Sequence, residues 1–237
     1  MIFKQVFDNN CSNYTYIIAS AKGREAVIID PVIENVNDYI KILLELDLKL
    51  VKVIDTHIHA DHVTGASKLK EITNCTTLMG EHTPADMVEI KVKDDEIIDI
   101  DDLKIRSLYT PGHTSDSYSY LLNNSLFTGD TLLINGTGRT DFQNGSSKDA
   151  YNSLFNKLLK LPEDTVVFPG HDYNGKFSST IGQEKKFNPR LQVNSVDEYV
   201  EIMSNLKLSK PKLIESNVSR NIKPVSYTHL TLPTKLS

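Results

Sequence analysis

Three histidines and an aspartate fall within six residues, at His57, His59, Asp61 and His62, inside the stretch Asp55-Thr56-His57-Ile58-His59-Ala60-Asp61-His62. Packing alone seldom calls for such a density of imidazole and carboxylate. These groups suit borderline divalent ions such as zinc or ferrous iron, and an i, i+2 pair of histidines can turn both rings toward one ion from a loop. The apolar run before them, Leu48-Lys49-Leu50-Val51-Lys52-Val53-Ile54, reads as a strand. The cluster would then emerge at a strand's carboxyl end, where active sites of α/β sheets gather.

Four later segments extend the pattern. Thr110-Pro111-Gly112-His113-Thr114 places a histidine after an apparent strand at 104–109, Phe127-Thr128-Gly129-Asp130 ends another strand on an aspartate, and Phe168-Pro169-Gly170-His171-Asp172-Tyr173 does the same with a histidine. A lone histidine or aspartate in a loop is ordinarily solvated or a helix cap. As a set, these residues have the composition of a buried metal centre assembled from distant parts of the chain. The fourth segment, Gly136-Thr137-Gly138-Arg139-Thr140-Asp141-Phe142-Gln143, offers glycines for close backbone approach and an arginine that could clamp an anion.

With these residues in place the chain resembles the metallo-β-lactamase superfamily, whose signature is a T-H-x-H-x-D-H run followed by downstream His, Asp and His. Five of the seven histidines fall in that pattern. Within the superfamily it looks most like the persulfide dioxygenases, through THIHADHVTG at 56–65, PGHTSDS at 111–117, TGDTLLINGTGRTDFQNG at 128–145, PGHDYNG at 169–175 and Asn188-Pro189-Arg190-Leu191. The resemblance covers about residues 1–224 and implies the four-layer αβ/βα sandwich of that superfamily, an α/β fold.

The resemblance implies two metal arrangements. In the hydrolytic relatives His57, His59 and His113 would hold one Zn(2+), and Asp61, His62 and His171 a second, with Asp130 bridging and a bound hydroxide as nucleophile. In the dioxygenases the positions matching His57, His113 and Asp130 carry one Fe(2+), a facial triad that leaves open positions. His59, Asp61, His62 and His171 then orient ligands and waters. The second arrangement implies oxidation of glutathione persulfide by O2 to sulfite and glutathione, with Arg139 pairing a glutathione carboxylate and Tyr173 offering a hydroxyl. The competing reading is a dinuclear-zinc glutathione thioesterase of the glyoxalase II type. A non-enzymatic binding module would be expected to have lost ligands, and here every position of the pattern is filled.

Composition sets limits around these readings. A chain of 237 residues with 39% hydrophobic content can bury a sizeable core as one domain, expected over 1–225. The formal net charge of −5 argues against a general nucleic-acid or membrane-surface binder, so an anionic substrate must be drawn by a local site. Cys11 and Cys75 stand far apart in no paired motif, which argues against a disulfide framework. No apolar run approaches the length of a membrane span and the first residues lack a signal-peptide core, making the cytoplasm the expected compartment. The expected partners are the small-molecule persulfide and dioxygen, with room for a homodimer and with neither nucleic acid nor membrane.

The elements that must position the site alternate short β segments with helices. Strands are expected at 2–7, 14–19, 26–29, 50–54, 76–79, 97–100, 103–109, 118–122 and 166–168. Helices are expected at 36–46, where Tyr39, Ile40, Leu43 and Leu44 make an apolar face, and around 151–159, where Tyr151, Leu154, Phe155, Leu158 and Leu159 repeat at helical spacing. A further helix is expected at 195–206. Residues 226–237 have no counterpart in the family pattern and resemble translated adapter sequence, so His229 is given no role.

Overall fold

The computed structural model describes residues 1–210 and 213–223, and the tail expected at 226–237 lies outside them. Two six-stranded sheets carry the fold. The first runs in the order β1 (Ile2–Phe7), β2 (Tyr14–Ala19), β3 (Glu25–Ile29), β4 (Lys49–Ile54), β5 (Thr76–Gly80) and β6 (Ile90–Val92). The second contains β7 (Ile97–Ile100), β8 (Leu103–Tyr109), β9 (Tyr118–Leu122) and β10 (Ser125–Gly129), then, beyond the two-stranded ribbon of β11 (Leu132–Leu133) and β12 (Gly136–Thr137), β13 (Val166–Pro169) and β14 (Ser179–Thr180).

Period-two alternation decides which side each strand buries. Along β2, Tyr14, Tyr16 and Ile18 face the opposite sheet, meeting Ile105, Tyr118, Tyr120 and Phe127, while Ile17 and Ala19 face outward onto helices. Those outer helices are α1 (Val36–Glu45) and α2 (Ala66–Thr73), which contribute Tyr39, Leu43 and Leu69. The second sheet is covered by α3 (Ser147–Asn152) and the turns that follow it, α4 (Ile181–Phe187) and α5 (Val196–Ser204), through Ala150, Leu154, Leu158, Ile181, Tyr199 and Met203. Helix, sheet, sheet, helix is the expected four-layer sandwich. Helix α6 (Ile214–Ile222) sits apart, near Ile58 and Met79, through Val218 and Ile222. Among the described residues no helix is long and apolar enough to cross a membrane.

The strand expectations hold to within a residue or so, and the differences have local causes. The segment expected as one helix at 151–159 is regular only to Asn152, then widens into a π turn over Ser153–Lys157 and closes as a 3-10 turn over Leu158–Lys160. The Ser153 hydroxyl donates to the Pro111 carbonyl at 2.6 Å and ties this wider stretch to the His113 loop. Strands β6, β11, β12 and β14 are only two or three residues long, too short for periodicity to reveal.

Candidate metal centre

Each suspected ligand follows the carboxyl end of a strand: His57 to His62 follow β4, His113 follows β8, Asp130 follows β10 and His171 follows β13. Strands β8 and β10 are each antiparallel to β9, and β13 is parallel to β10, so these three strands end at one edge of the second sheet. The first sheet reaches the same edge. Tyr16 donates its hydroxyl to the Pro169 carbonyl at 2.6 Å, and the Tyr14 amide donates to the Gly170 carbonyl at 2.7 Å, so β2 anchors the loop carrying His171.

His57, His113 and Asp130 come together, with one ligand atom from each lying within 4.8 Å of the others. Hydrogen bonds decide which imidazole nitrogen each ring presents. The Thr56 hydroxyl donates to Asp30 at 2.9 Å, so at its 2.9 Å contact with His57 Nδ1 it accepts, and the His57 Nε2 lone pair is left open. His113 Nδ1 donates to the Arg139 carbonyl at 2.7 Å, turning its Nε2 toward Asp130 at 3.6 Å. Burial, then repulsion from His59 and His113, drives the His57 pKa well below its ordinary value, so the ring is neutral and ready to ligate. Two imidazoles and a carboxylate converging on one point fit a divalent metal.

His171 is differently engaged. Its Nδ1 lies 2.7 Å from Asp130 Oδ1 and its Nε2 lies 3.0 Å from Asp61 Oδ2. Carboxylate oxygens only accept here, so both ring nitrogens carry hydrogens. Burial opposes that charge, but the two carboxylates override it and raise the His171 pKa well above its ordinary value. Asp61 also accepts from His62 Nδ1 at 2.9 Å. His59 donates Nε2 to Asp30 at 3.2 Å; burial works against the charged ring, yet Asp30 and Asp55 lift its pKa to about 9. Among the described residues, His59 Nδ1 and His62 Nε2 are buried without a hydrogen-bond partner.

Backbone shape completes the pocket. A side chain at Gly138 would collide with the Asp130 carbonyl and the His113 ring, so only glycine lets this turn close against the triad. The triad opens into a cleft of about 500 Å³ lined by Leu133, Ile134, Arg139, Tyr173, Arg190 and Leu208, among others. Arg139 and Tyr173 therefore stand in the same cleft as the metal-binding atoms. Arg139 holds Asp141 in a two-pronged pair at 2.7 and 2.8 Å, donates to the Ser209 carbonyl at 2.7 Å and lies over the Phe142 ring. Tyr173 is 71% exposed, its ring parallel to that of His171.

Several supporting residues had no role in the sequence reading. Asp30, at the end of β3, accepts from the Thr56 amide at 2.7 Å, the Thr56 hydroxyl and His59, and so orients two histidines. Its place after a buried strand, in Ile28-Ile29-Asp30-Pro31, was a readable signal of the same kind as Asp130. Asp116 accepts from the Ile58 amide at 3.0 Å. From α6, Asn221 donates to the carbonyls of His59 and His62 and accepts from the Thr64 amide, each at 2.9 Å, while Asn217 donates to the Ala60 carbonyl. Nothing local in the sequence marks these last two.

Comparison with known proteins places this geometry. The Metallo-beta-lactamase superfamily pattern matches residues 8–171. The chain is similar to the human protein named persulfide dioxygenase ETHE1, mitochondrial, with 37% identity over 94% of this chain and 88% of that protein. A hydroxyacylglutathione hydrolase of Dictyostelium discoideum is 33% identical over 93% of this chain and 84% of its own length. The crystal structure of ETHE1 from Myxococcus xanthus matches with a TM-score of 0.91 and 46% identity, covering 93% of this chain and 98% of that one.

Proposed function

The chain belongs to the metallo-β-lactamase superfamily and, within it, to the persulfide dioxygenases, and we propose that it oxidises glutathione persulfide with dioxygen at one ferrous iron held by His57, His113 and Asp130. It is an enzyme of sulfur metabolism, and its products are sulfite and glutathione. Iron, when bound, supplies redox chemistry that zinc lacks.

The observation that carries one metal rather than two is the double engagement of His171. A second ion on Asp61, His62 and His171 would need a lone pair from a ring whose two nitrogens already donate to Asp61 and Asp130. Bridging the two carboxylates, His171 instead fixes the Asp130 carboxylate and leaves its Oδ2 directed at the His113 side.

The chain's own groups do the rest. Asp30, through Thr56, holds the His57 ring, and the Arg139 carbonyl holds that of His113, so both present Nε2 before any metal arrives. Leu133, Ile134 and Leu208 give the cleft an apolar side that limits water near the reacting sulfur. We assign Arg139 and Tyr173 to the substrate, Arg139 as a wall whose charge is shared with Asp141 and Tyr173 as a hydroxyl at the mouth. Cys11 and Cys75 are unpaired, which suits a reducing compartment, the cytoplasm in this reading.

An oxygen electrode, a sulfite assay and a thioester absorbance assay on one preparation test the proposal. Iron-loaded protein should consume oxygen and release sulfite with glutathione persulfide while hydrolysing S-lactoylglutathione negligibly. Thioester hydrolysis without oxygen uptake, strongest with zinc, would replace oxidation with metal-hydroxide chemistry.

A further inference from the structure

Three Asn-Gly pairs occur in the chain, at 135–136, 144–145 and 174–175, and the fold brings all three to the metal cleft. Asn135, Gly136 and Asn174 line it, and Gly145 packs against the His113 carbonyl. Asparagine before glycine is a chemically labile link, because with no side chain on the following residue its amide nitrogen can reach the asparagine side-chain carbonyl. How firmly the fold holds that nitrogen decides whether it does.

Two of the three pairs are held. Gly145 donates its amide to the Phe142 carbonyl at 2.7 Å, and its backbone is packed so closely that a side-chain atom there would collide with the carbonyl oxygens of Thr140 and His113. Asn135 and Gly136 turn the β11–β12 hairpin: Gly136 pairs with Leu133, its carbonyl accepts from Asn188 at 2.9 Å, and the Asn135 amide donates to buried Glu184 at 2.9 Å. Asn174-Gly175 is different. Both residues are exposed, and Gly175 has φ +73° with nothing within 4 Å of the point where a side chain would begin. Asp172 Oδ2 accepts from the amides on either side, Asn174 at 2.8 Å and Lys176 at 2.7 Å, and passes over that of Gly175, which makes no hydrogen bond among the described residues.

We propose that Asn174 is a site of spontaneous deamidation, and that the carboxylate it yields in the cleft wall weakens the hold on an anionic substrate. The Gly175 nitrogen bonds to the Asn174 side-chain carbonyl carbon, the bond from that carbon to Nδ2 breaks, and ammonia leaves with the proton that the Gly175 nitrogen gives up. Water then opens the cyclic imide, at the backbone carbonyl to leave isoaspartate or at the side-chain carbonyl to leave aspartate. The sum is one side-chain amide and one water giving one carboxylic acid and one ammonia, with nothing oxidised or reduced. The ionised product joins Asp61, Asp130 and Asp172 along the same cleft and repels an incoming anion. The bond change stands by itself, whereas its effect on substrate rests on the persulfide reading above.

Full-length protein aged in warm, mildly alkaline buffer, digested and mapped by mass spectrometry, with enzymatic methylation to detect isoaspartate, tests the site. The peptide carrying Asn174 should gain the mass of an amide exchanged for an acid, while those carrying Asn135 and Asn144 change little; in urea all three should convert. Conversion at Asn135 or Asn144 as fast as at Asn174 in the folded protein, or a preference for Asn174 that persists undiminished in urea, would overturn the assignment. In aged wild type and fresh Asn174→Asp, both iron-loaded, KM for glutathione persulfide should rise about two- to fivefold, the order of one exposed charge pair, with kcat little changed and the rise shrinking at high salt. Aged Asn174→Gln should keep the KM it had when fresh. Calorimetric titration with glutathione, which needs no turnover, should show the same weakening. Conversion that leaves KM and glutathione binding unaltered would overturn the effect on the cleft. Protein that takes up no oxygen, but converts at Asn174 and then binds glutathione less tightly, would remove the dioxygenase reading and leave the site standing.

Discussion

At the residue scale, the difference between a ligand and a neighbour of a ligand lies in which atom is already spoken for. His57, His113 and Asp130 keep an open donor atom each, whereas Asp61 and His171 spend theirs on one another and on Asp130. His57→Ala, His113→Ala and Asp130→Ala should each abolish iron retention in a preparation that otherwise carries about one iron per chain. His59→Ala, Asp61→Ala and His62→Ala should weaken it on the order of 10- to 100-fold, as changes behind the ligands do. Metal analysis of dialysed variants checks this; equal losses across all six, or two metals per chain, would favour the dinuclear site.

At the element scale, the histidine loop after β4 is held from outside by α6. Asn221, with its side chain buried, satisfies two carbonyls and one amide of that loop. Removing it leaves those groups without partners, at about 1–3 kcal/mol for a buried group left unsatisfied. Asn221→Ala should therefore lower the melting temperature by several degrees and weaken metal retention, although the residue touches no metal-binding atom. Thermal melts with and without iron measure both effects. A variant that keeps wild-type iron content and stability would show that the loop holds its shape without α6.

At the scale of the whole molecule, buried titrating groups tie stability to pH. His57 has its folded pKa depressed below the ordinary 6.5, so in acid the unfolded chain takes up a proton that the folded chain refuses. Stability from this group is present above about 6.5 and falls away below it. His59 is the opposite case, raised from 6.5 to about 9 by Asp30 and Asp55 against the opposing effect of burial. Its contribution is complete below 6.5 and is lost as the pH rises through about 9. The metal-free protein should melt at progressively lower temperature from pH 6.5 toward 9, and again on acidification below 6.5. His59→Gln should make the alkaline limb shallower, leaving the part that the likewise raised His171 contributes. A melting temperature constant from pH 6.5 to 9 in the metal-free protein would contradict a charged His59–Asp30 pair.

The metal chemistry, its ligand types and the alternating layers were legible in the chain because they are short-range properties. Histidines and aspartates after apolar strands, short β-prone runs such as those of β2 and β3, and the helical spacing of α1 are written within a few neighbouring residues. The roles of individual atoms were not. That Arg139 spends its charge on Asp141 while Arg190 donates to the Thr137 carbonyl follows from how the glycine turn and the end of α4 meet, far apart in the sequence. The clamp of α6 on the histidine loop joins Asn221 to His59 across 162 positions, and the bridge from Asp61 through His171 to Asp130 likewise spans the two sheets. The chain's local chemistry determined that a metal would bind and roughly where. Only the tertiary packing decided which lone pairs remain open to it, because a hydrogen bond between distant strands leaves no periodic trace in the residues between them.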